Sequence, residues 1–66
     1  MQLTINGKAE SVEATTISDV LKAKDIDPQL VAVELNTQMI DQEQLATTSL
    51  KEGDKLEFLF FMGGGA

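Results

Sequence analysis

Apolar and polar residues alternate in the first five positions of the chain, MQLTI, where the odd positions are apolar. This period of two is typical of a half-buried strand whose apolar side chains, Met1 among them, face a core. The dipeptide Asn6-Gly7 follows, and it is the strongest short signal of a two-residue hairpin turn. We therefore predict that the next residues return as a second strand, with Val12 facing the core.

The period then changes to that of a helix. Apolar residues recur at helical spacing from Ile17 to Leu21. Thr16, followed three residues later by Asp19, resembles a capping box, in which a hydroxyl and a carboxylate satisfy backbone N–H groups at the start of a helix. Pro28 lacks a backbone N–H and prevents continuation. These signals predict one short helix that begins near Thr16 and ends before Pro28.

A second pair of strands follows the helix. In residues 31–35, Val31, Val33 and Leu35 alternate with Ala32 and Glu34. Residues 36–38 form the predicted turn, and a short strand begins at Met39. The stretch from 42 to 54 is polar, and its apolar residues Leu45 and Leu50 are isolated. It predicts a loop that contains one helical turn.

The stretch KLEFLFF is the last predicted strand. Its alternation directs Leu56, Phe58 and Phe60 to the core, and Leu59 and Phe61 to the other side. Paired strands around one helix predict an α+β fold, with a mixed sheet of four to five strands and one main helix on one face. The last strand is expected to run parallel beside the first, because a helical crossover joins the two hairpin regions.

The composition excludes several classes of function. The 66 residues form at most one domain and include neither His nor Cys, which removes the usual general base, the common activated nucleophiles and most zinc ligands. Arg is absent and the net charge is −6, so nothing resembles the basic footprint of a nucleic-acid-binding protein. We expect a monomer that is not an enzyme, holds no metal or resident cofactor, and binds no nucleic acid.

The acidic balance has two interpretations. Solubility is the simpler one, and attraction to a basic surface on a partner is the other. The chain does not open with the charged head and apolar run of a signal peptide. Its longest apolar run, residues 58–62, is too short to cross a bilayer. We therefore expect a cytoplasmic protein with no membrane association.

The chain closes with FFMGGGA. Glycine loses more conformational entropy on folding than any other residue, so three in a row do not order without a partner. We expect residues 1–62 to form the folded domain and residues 63–66 to form a flexible tail. The glycines can be explained without a function, as a frayed terminus or an expression remnant. A functional explanation is that a backbone without Cβ atoms enters a narrow slot and presents an unhindered carboxylate to another enzyme.

The residues before the glycines are candidates for docking. Leu59 and Phe61 are predicted to point away from the core, and Met62 leads directly into the tail. Exposed aromatic and Met side chains are typical of a partner interface. Alternatively, these residues cover a second small cluster, or a bulge reverses the in-and-out order of the strand.

The whole chain resembles the ThiS/MoaD family of sulfur carrier proteins, which have the ubiquitin-like β-grasp fold. The matching stretches are LTINGK in the first hairpin, VAVELNTQMI in the middle strand pair, LKEGDKLEFL before and in the last strand, and the terminal glycines. The length places the chain nearer the ThiS branch, which serves thiamine synthesis, than the molybdopterin branch.

The resemblance implies a mechanism and a set of partners. An adenylating enzyme similar to ubiquitin-activating enzymes would use ATP to adenylate Gly65, which follows Gly63 and Gly64. A sulfur donor protein would then convert the acyl adenylate to a thiocarboxylate. The sulfur would pass to thiazole synthase or another accepting enzyme, and the carrier would bring the group while other proteins do the chemistry.

Ala66 departs from the pattern of the family, which ends in Gly-Gly with a free carboxylate. The spacing from the turn at Gly53-Asp54 places the family's terminal glycine at Gly65. The resemblance therefore implies that a protease removes Ala66, as for relatives that serve sulfur amino acid synthesis. A cloning remnant is the other explanation of Ala66.

Three classes of function remain open at this point. A sulfur carrier would be a substrate of other enzymes, and a ubiquitin-like modifier would form covalent conjugates with lysines of other proteins. A plain interaction module would keep its function without the glycines. Genes beside this one for thiazole synthase, or for a sulfhydrylase with a metalloprotease, would identify the acceptor.

Overall fold

Five strands and one α-helix make up the fold, in a computed structural model that describes residues 1–61. Two single 3₁₀ turns, Pro28–Leu30 and Gln42–Gln44, lie in the connections. In chain order the main elements are β1 (Gln2–Ile5), β2 (Lys8–Ser11), α1 (Ile17–Ala23), β3 (Val31–Leu35), β4 (Gln38–Ile40) and β5 (Lys55–Phe60).

The strands form one mixed sheet in the order β2-β1-β5-β3-β4, with β5 in the centre. β1 and β5 are parallel, with Thr4 opposite Lys55, and the other neighbouring pairs are antiparallel. The predicted fold class and the predicted parallel pairing of the first and last strands are therefore confirmed. The last strand is also the central one, so the segment that precedes the tail is held on both sides.

Helix α1 packs on one face of the sheet and closes the core. The alternation in β1, β3 and β5 turns every second side chain toward the helix, as the sequence pattern predicted. The other face carries no fully buried residue among residues 1–61, and we call it the open face. The buried core consists of Leu3, Ile5, Ile17, Val20, Leu21, Val31, Val33, Leu45, Leu50, Leu56 and Phe58.

The helix begins at a capping box, which confirms the prediction from the sequence. The Thr16 hydroxyl accepts a hydrogen bond from the Asp19 backbone N–H at 3.3 Å. The Asp19 carboxylate in turn accepts from the backbone N–H groups of Thr15 at 3.0 Å and Thr16 at 3.1 Å. These bonds satisfy donors that have no partner inside the helix. The helix ends at Ala23, and Asp25 then adopts a φ of +58° and turns the chain.

The cap makes stability depend on pH. Hydrogen bonds from the backbone N–H groups of Thr15 and Thr16 hold the pKa of Asp19 below its ordinary value. A carboxyl with a lowered folded pKa stabilises the fold at pH above its unfolded pKa, and this contribution is lost as the pH falls through the folded pKa. We expect Asp19→Asn to flatten the acid limb of a plot of urea midpoint against pH. Identical acid limbs for both proteins would show that the cap carboxylate does not contribute.

The loop from 41 to 54 contributes two core residues that the sequence pattern did not assign to the core. Backbone bonds attach this loop to the start of the helix, from Ser18 N–H to Leu45 C=O at 2.9 Å and from Leu50 N–H to Thr15 C=O at 2.8 Å. They hold Leu45 and Leu50 beside the start of the helix, where both are buried. The predicted helical turn is present as Gln42–Gln44.

Three details differ from the predictions. Phe60 lies on the helix side but is 52% exposed, because the segment after α1 presents Lys24 and Ile26 there instead of another helical turn. Met1 precedes β1 and is exposed. Gln38 begins β4 instead of ending the turn, because Asn36 and Thr37 form a two-residue turn in which both φ angles are positive.

Val12 follows the end of β2 and is partly buried against the core, as predicted. Within residues 1–61, no helix is both long enough and apolar enough to cross a membrane.

Candidate functional site

The end of β5 is the candidate site, because it leads into the glycine tail. Phe61 is the last described residue, and its backbone N–H donates to Leu30 C=O at 3.0 Å. This bond continues the pairing of β3 with β5 one residue past the strand. The predicted site residues Met62, Gly63, Gly64, Gly65 and Ala66 lie outside the described residues. Their roles remain predictions.

Two turn asparagines hold β5 from its two sides. Asn36 donates its backbone N–H to Lys55 C=O at 2.8 Å and accepts the Lys55 N–H on its Oδ1 at 2.9 Å. Asn6 donates its N–H to Leu56 C=O at 2.9 Å and accepts the Phe58 N–H on its Oδ1 at 2.7 Å. The side chain of Asn6 thus extends the pairing beyond the end of β1. The strand that carries the tail is fixed from Lys55 to Phe58.

Sequence reasoning identified both asparagines only as turn residues. Each has a left-handed backbone, with φ of +50° at Asn6 and +49° at Asn36, which Asn tolerates better than most residues. The bond from Phe58 to Asn6 joins residues 52 apart in sequence. A local pattern gives no signal for such a bond, so the anchoring of β5 is visible only in the structure.

The predicted docking residues lie beside other exposed apolar residues. Leu59 is 53% exposed and sits opposite Ala32, while Phe61 is 56% exposed. Leu30, bonded to Phe61, and Met39, on β4, are exposed as well, and sequence reasoning missed both. We call Leu30, Ala32, Met39, Leu59 and Phe61 the open-face patch. All of these residues except the half-buried Ala32 are exposed, and such an apolar group on one side of a small domain is typical of an interaction site.

An acidic pair lies next to this patch. Glu34 on β3 is directly opposite Glu57 on β5, and Met39 is opposite Glu34 from the other side. Like charges placed opposite each other on neighbouring strands destabilise a sheet. The open face therefore combines exposed apolar area with negative charge, which suits a partner surface that is apolar and basic.

Within residues 1–61, no three Asp or Glu side chains lie close enough together to hold a metal ion. The described part of the site therefore consists of exposed apolar side chains with an acidic pair beside them.

Comparison with known proteins identifies the family. The model of the ThiS family matches residues 2–65. The sulfur carrier protein ThiS of Bacillus subtilis is 32% identical over 65 residues, which cover 96% of this chain and 98% of that protein.

Two further relatives are longer proteins. The thiazole synthase of Paramagnetospirillum magneticum is 36% identical over 67 residues, and that of Magnetococcus marinus is 33% identical over 66 residues. The chain spans only 21% and 20% of their respective lengths. In these relatives a segment similar to this chain is therefore part of a larger protein.

Solved structures agree with the fold. The crystal structure of the thiamine biosynthesis protein ThiS from Geobacter metallireducens is 39% identical, covers 98% of this chain and 100% of that one, and superposes with a TM-score of 0.83. The solution structure of a thiamine biosynthesis protein from the same organism gives a TM-score of 0.80 at 38% identity. The match over nearly the whole chain, together with the five-stranded sheet and its single helix, shows that this chain belongs to the ThiS family.

Proposed function

We propose that this protein is a sulfur carrier in the synthesis of the thiazole of thiamine. The match to the ThiS family over residues 2–65 is the observation that carries this proposal. The full-length similarity to a sulfur carrier protein from Bacillus subtilis supports it. The composition agrees, since a chain without His or Cys suits a carried substrate better than a catalyst.

The proposed chemistry takes place at the carboxylate of Gly65 in two steps. A carboxylate oxygen attacks the α-phosphorus of ATP, pyrophosphate leaves, and an acyl adenylate forms. Sulfide from a donor protein then attacks the acyl carbon, the C–O bond to AMP breaks, and a thiocarboxylate remains. The adenylating enzyme supplies the catalytic groups, and this chain supplies a reactive end without side chains and a body to hold.

We propose residues 1–62 as the body and residues 63–66 as the tail. The family match ends at residue 65, which supports Gly65 as the reacting residue and leaves Ala66 beyond the family pattern. With Ala66 attached, the acyl carbon of Gly65 is part of a peptide bond and has no free carboxylate. A protease that cleaves after Gly65 is therefore a proposed partner.

Thiazole synthase is the proposed sulfur acceptor, because two relatives that contain a similar segment carry that name. The alternative acceptor is a sulfhydrylase of sulfur amino acid synthesis. Purified thiocarboxylated protein can be mixed with each enzyme and its substrates, and the sulfur remaining on the carrier can be followed by intact mass. We expect the carrier to lose its sulfur with thiazole synthase and to keep it with the sulfhydrylase. Loss of sulfur only with the sulfhydrylase would show that the sulfhydrylase is the acceptor.

The open-face patch is proposed to dock on the adenylating enzyme, with Phe61 and Leu59 as its main contacts and with Met62, the next residue in the sequence, as a further contact. We expect Phe61→Ala to weaken binding to that enzyme by about 1–3 kcal/mol, as truncation of an aromatic anchor does. The melting temperature should change little, because the Phe61 side chain is 56% exposed.

Binding can be measured by calorimetry, with Gln44→Ala as the control. Gln44 is exposed in the loop between β4 and β5 and lies outside the patch. Tight binding by Phe61→Ala would show that Phe61 is not an anchor of the interface, and a large fall in its melting temperature would show that Phe61 serves the fold.

A further inference from the structure

A second apolar surface lies on the helix side of β5, opposite the open-face patch. It is a groove of about 430 Å³ whose apolar residues are Ile5, Ile26, Phe58 and Phe60. Both phenylalanines line the groove, where Phe58 is buried and Phe60 is half exposed. The alternation of β5 directs Phe60 toward the core, yet the helix ends before it can cover this ring. The fold thus leaves an aromatic side chain available in a concave site.

The rim of the groove is positively charged on an otherwise acidic molecule. Lys8 and Lys24, two of the five lysines in the chain, lie on the rim together with Glu10. Glu10 pairs with Lys24 at 2.8 Å. Lys8 forms no ion pair within residues 1–61. The rim therefore has one positive charge in excess, while the whole chain has a net charge of −6.

The groove is placed where a partner of the tail must come close. Phe60 is the last residue of β5 and precedes Phe61, from which the tail continues. An enzyme that takes Gly65 into its active site has its entrance within a few residues of Phe60, since each residue spans at most about 3.3–3.6 Å. The groove and the open-face patch lie on opposite sides of the same strand. Two partners that take the tail in turn can therefore be recognised by different surfaces.

We propose that this groove docks an acidic segment with an apolar side chain, presented by the thiazole synthase that receives the sulfur. The apolar side chain contacts Phe60 and Phe58, and an Asp or Glu beside it pairs with Lys8. Charge complementarity favours an acidic segment, because the rim is cationic on a chain that repels acidic surfaces elsewhere. This inference rests on the proposed function, which makes thiazole synthase the acceptor.

The relatives favour thiazole synthase over the other partners as the occupant. In two of them a segment similar to this whole chain belongs to a longer protein named thiazole synthase. In those two relatives the chain itself holds the carrier segment near the acceptor, so the two segments meet in every cycle. The open-face patch then remains for the adenylating enzyme.

The test is the affinity of the chain ending at Gly65 for purified thiazole synthase from the same organism, measured by calorimetry. Phe60→Ala and Lys8→Glu are each expected to weaken binding by about 5- to 30-fold. Lys51→Glu is the matched control, since it makes the same charge change near the start of β1, away from the groove. It should bind within about twofold of the unchanged chain. Raising the salt concentration should weaken the unchanged chain more than Lys8→Glu.

The melting temperatures of all three variants are measured as well, and they identify any loss of affinity that is caused by unfolding. Equal affinity of Phe60→Ala and the unchanged chain would overturn the groove as a docking site. Equal losses of affinity for Lys8→Glu and Lys51→Glu would overturn the role of the groove's positive charge in binding. Absence of any binding to thiazole synthase would overturn the proposal as a whole.

Thiocarboxylation of the same variants by the adenylating enzyme separates this inference from the proposed function. If the unchanged chain acquires sulfur while the groove variants bind thiazole synthase normally, the carrier function stands and the groove proposal falls. If the unchanged chain never acquires sulfur, the carrier function itself fails.

Discussion

A chain that ends at Gly65 is expected to form a thiocarboxylate, whereas a chain with Ala66 attached is expected to remain unchanged. Adenylation needs a free carboxylate at the position that the enzyme holds, and Ala66 turns that group into an amide. A carboxylate on Ala66 itself would lie about 3.3–3.6 Å further along an extended tail. Misplacement by about 1 Å already costs on the order of 10²-fold in rate.

Two control chains distinguish the effect of the extra residue from the effect of the Ala66 methyl group. Ala66→Gly keeps the extra residue but removes the methyl group, and a chain that ends at Gly64 is one residue short. If the number of residues after Phe61 determines whether the chain is adenylated, both controls stay inactive with the same adenylating enzyme and ATP. If Ala66→Gly is active, the methyl group is the obstacle and the enzyme tolerates the extra length. Equal thiocarboxylate yield from the chains ending at Gly65 and Ala66 would contradict the need for trimming.

Leu45→Ala is expected to destabilise the fold by about 2–5 kcal/mol, the range for removing a fully buried leucine side chain. Leu45 is only 3% exposed and belongs to the core, although it lies in an irregular loop. A small domain has little stability to lose, since the total is about 5–15 kcal/mol for most proteins. Urea denaturation followed by circular dichroism measures the change.

Glu43→Ala is the control for this substitution, because Glu43 is exposed in the same loop. Its effect should stay within about 0.5 kcal/mol, as for surface substitutions generally. A similarly small effect of Leu45→Ala would mean that the loop does not close the core, and that the helix and sheet are sufficient without it.

The elements with local signals were predictable from the sequence. The first hairpin follows from alternation interrupted by Asn6-Gly7, and the helix start follows from Thr16 and Asp19. In each case the residues that form the structure are neighbours in the chain. The alternation in β5 also identified Leu59 and Phe61 as pointing away from the core, and both are exposed.

The features that depend on distant parts of the chain were not predictable. Leu45 is buried because the loop bonds to the helix start, and Asn6 holds Phe58 across most of the sequence. Phe60 matches the pattern of a core residue, but its exposure depends on where α1 ends. Alternation gives the side of the sheet on which a residue lies, and it does not give the extent of the element that covers that side.

The acidic pair on the open face also required the structure. Glu34 and Glu57 are opposite each other only because β3 and β5 pair in one particular register. This arrangement is unfavourable for the isolated sheet and suits a basic partner surface. The excess of acidic residues is visible in the sequence. The position of Glu34 and Glu57 beside Leu59 and Met39 depends on the strand register.

The intact mass of the chain ending at Gly65 is the most direct test of the carrier function. The protein is incubated with ATP, sulfide and the adenylating enzyme of its own organism, and fragmentation locates any added sulfur. The account predicts the mass gain of one oxygen-to-sulfur exchange, located at Gly65 and dependent on ATP. An unchanged mass under these conditions, or sulfur at any other residue, would contradict the assignment of this protein as a sulfur carrier.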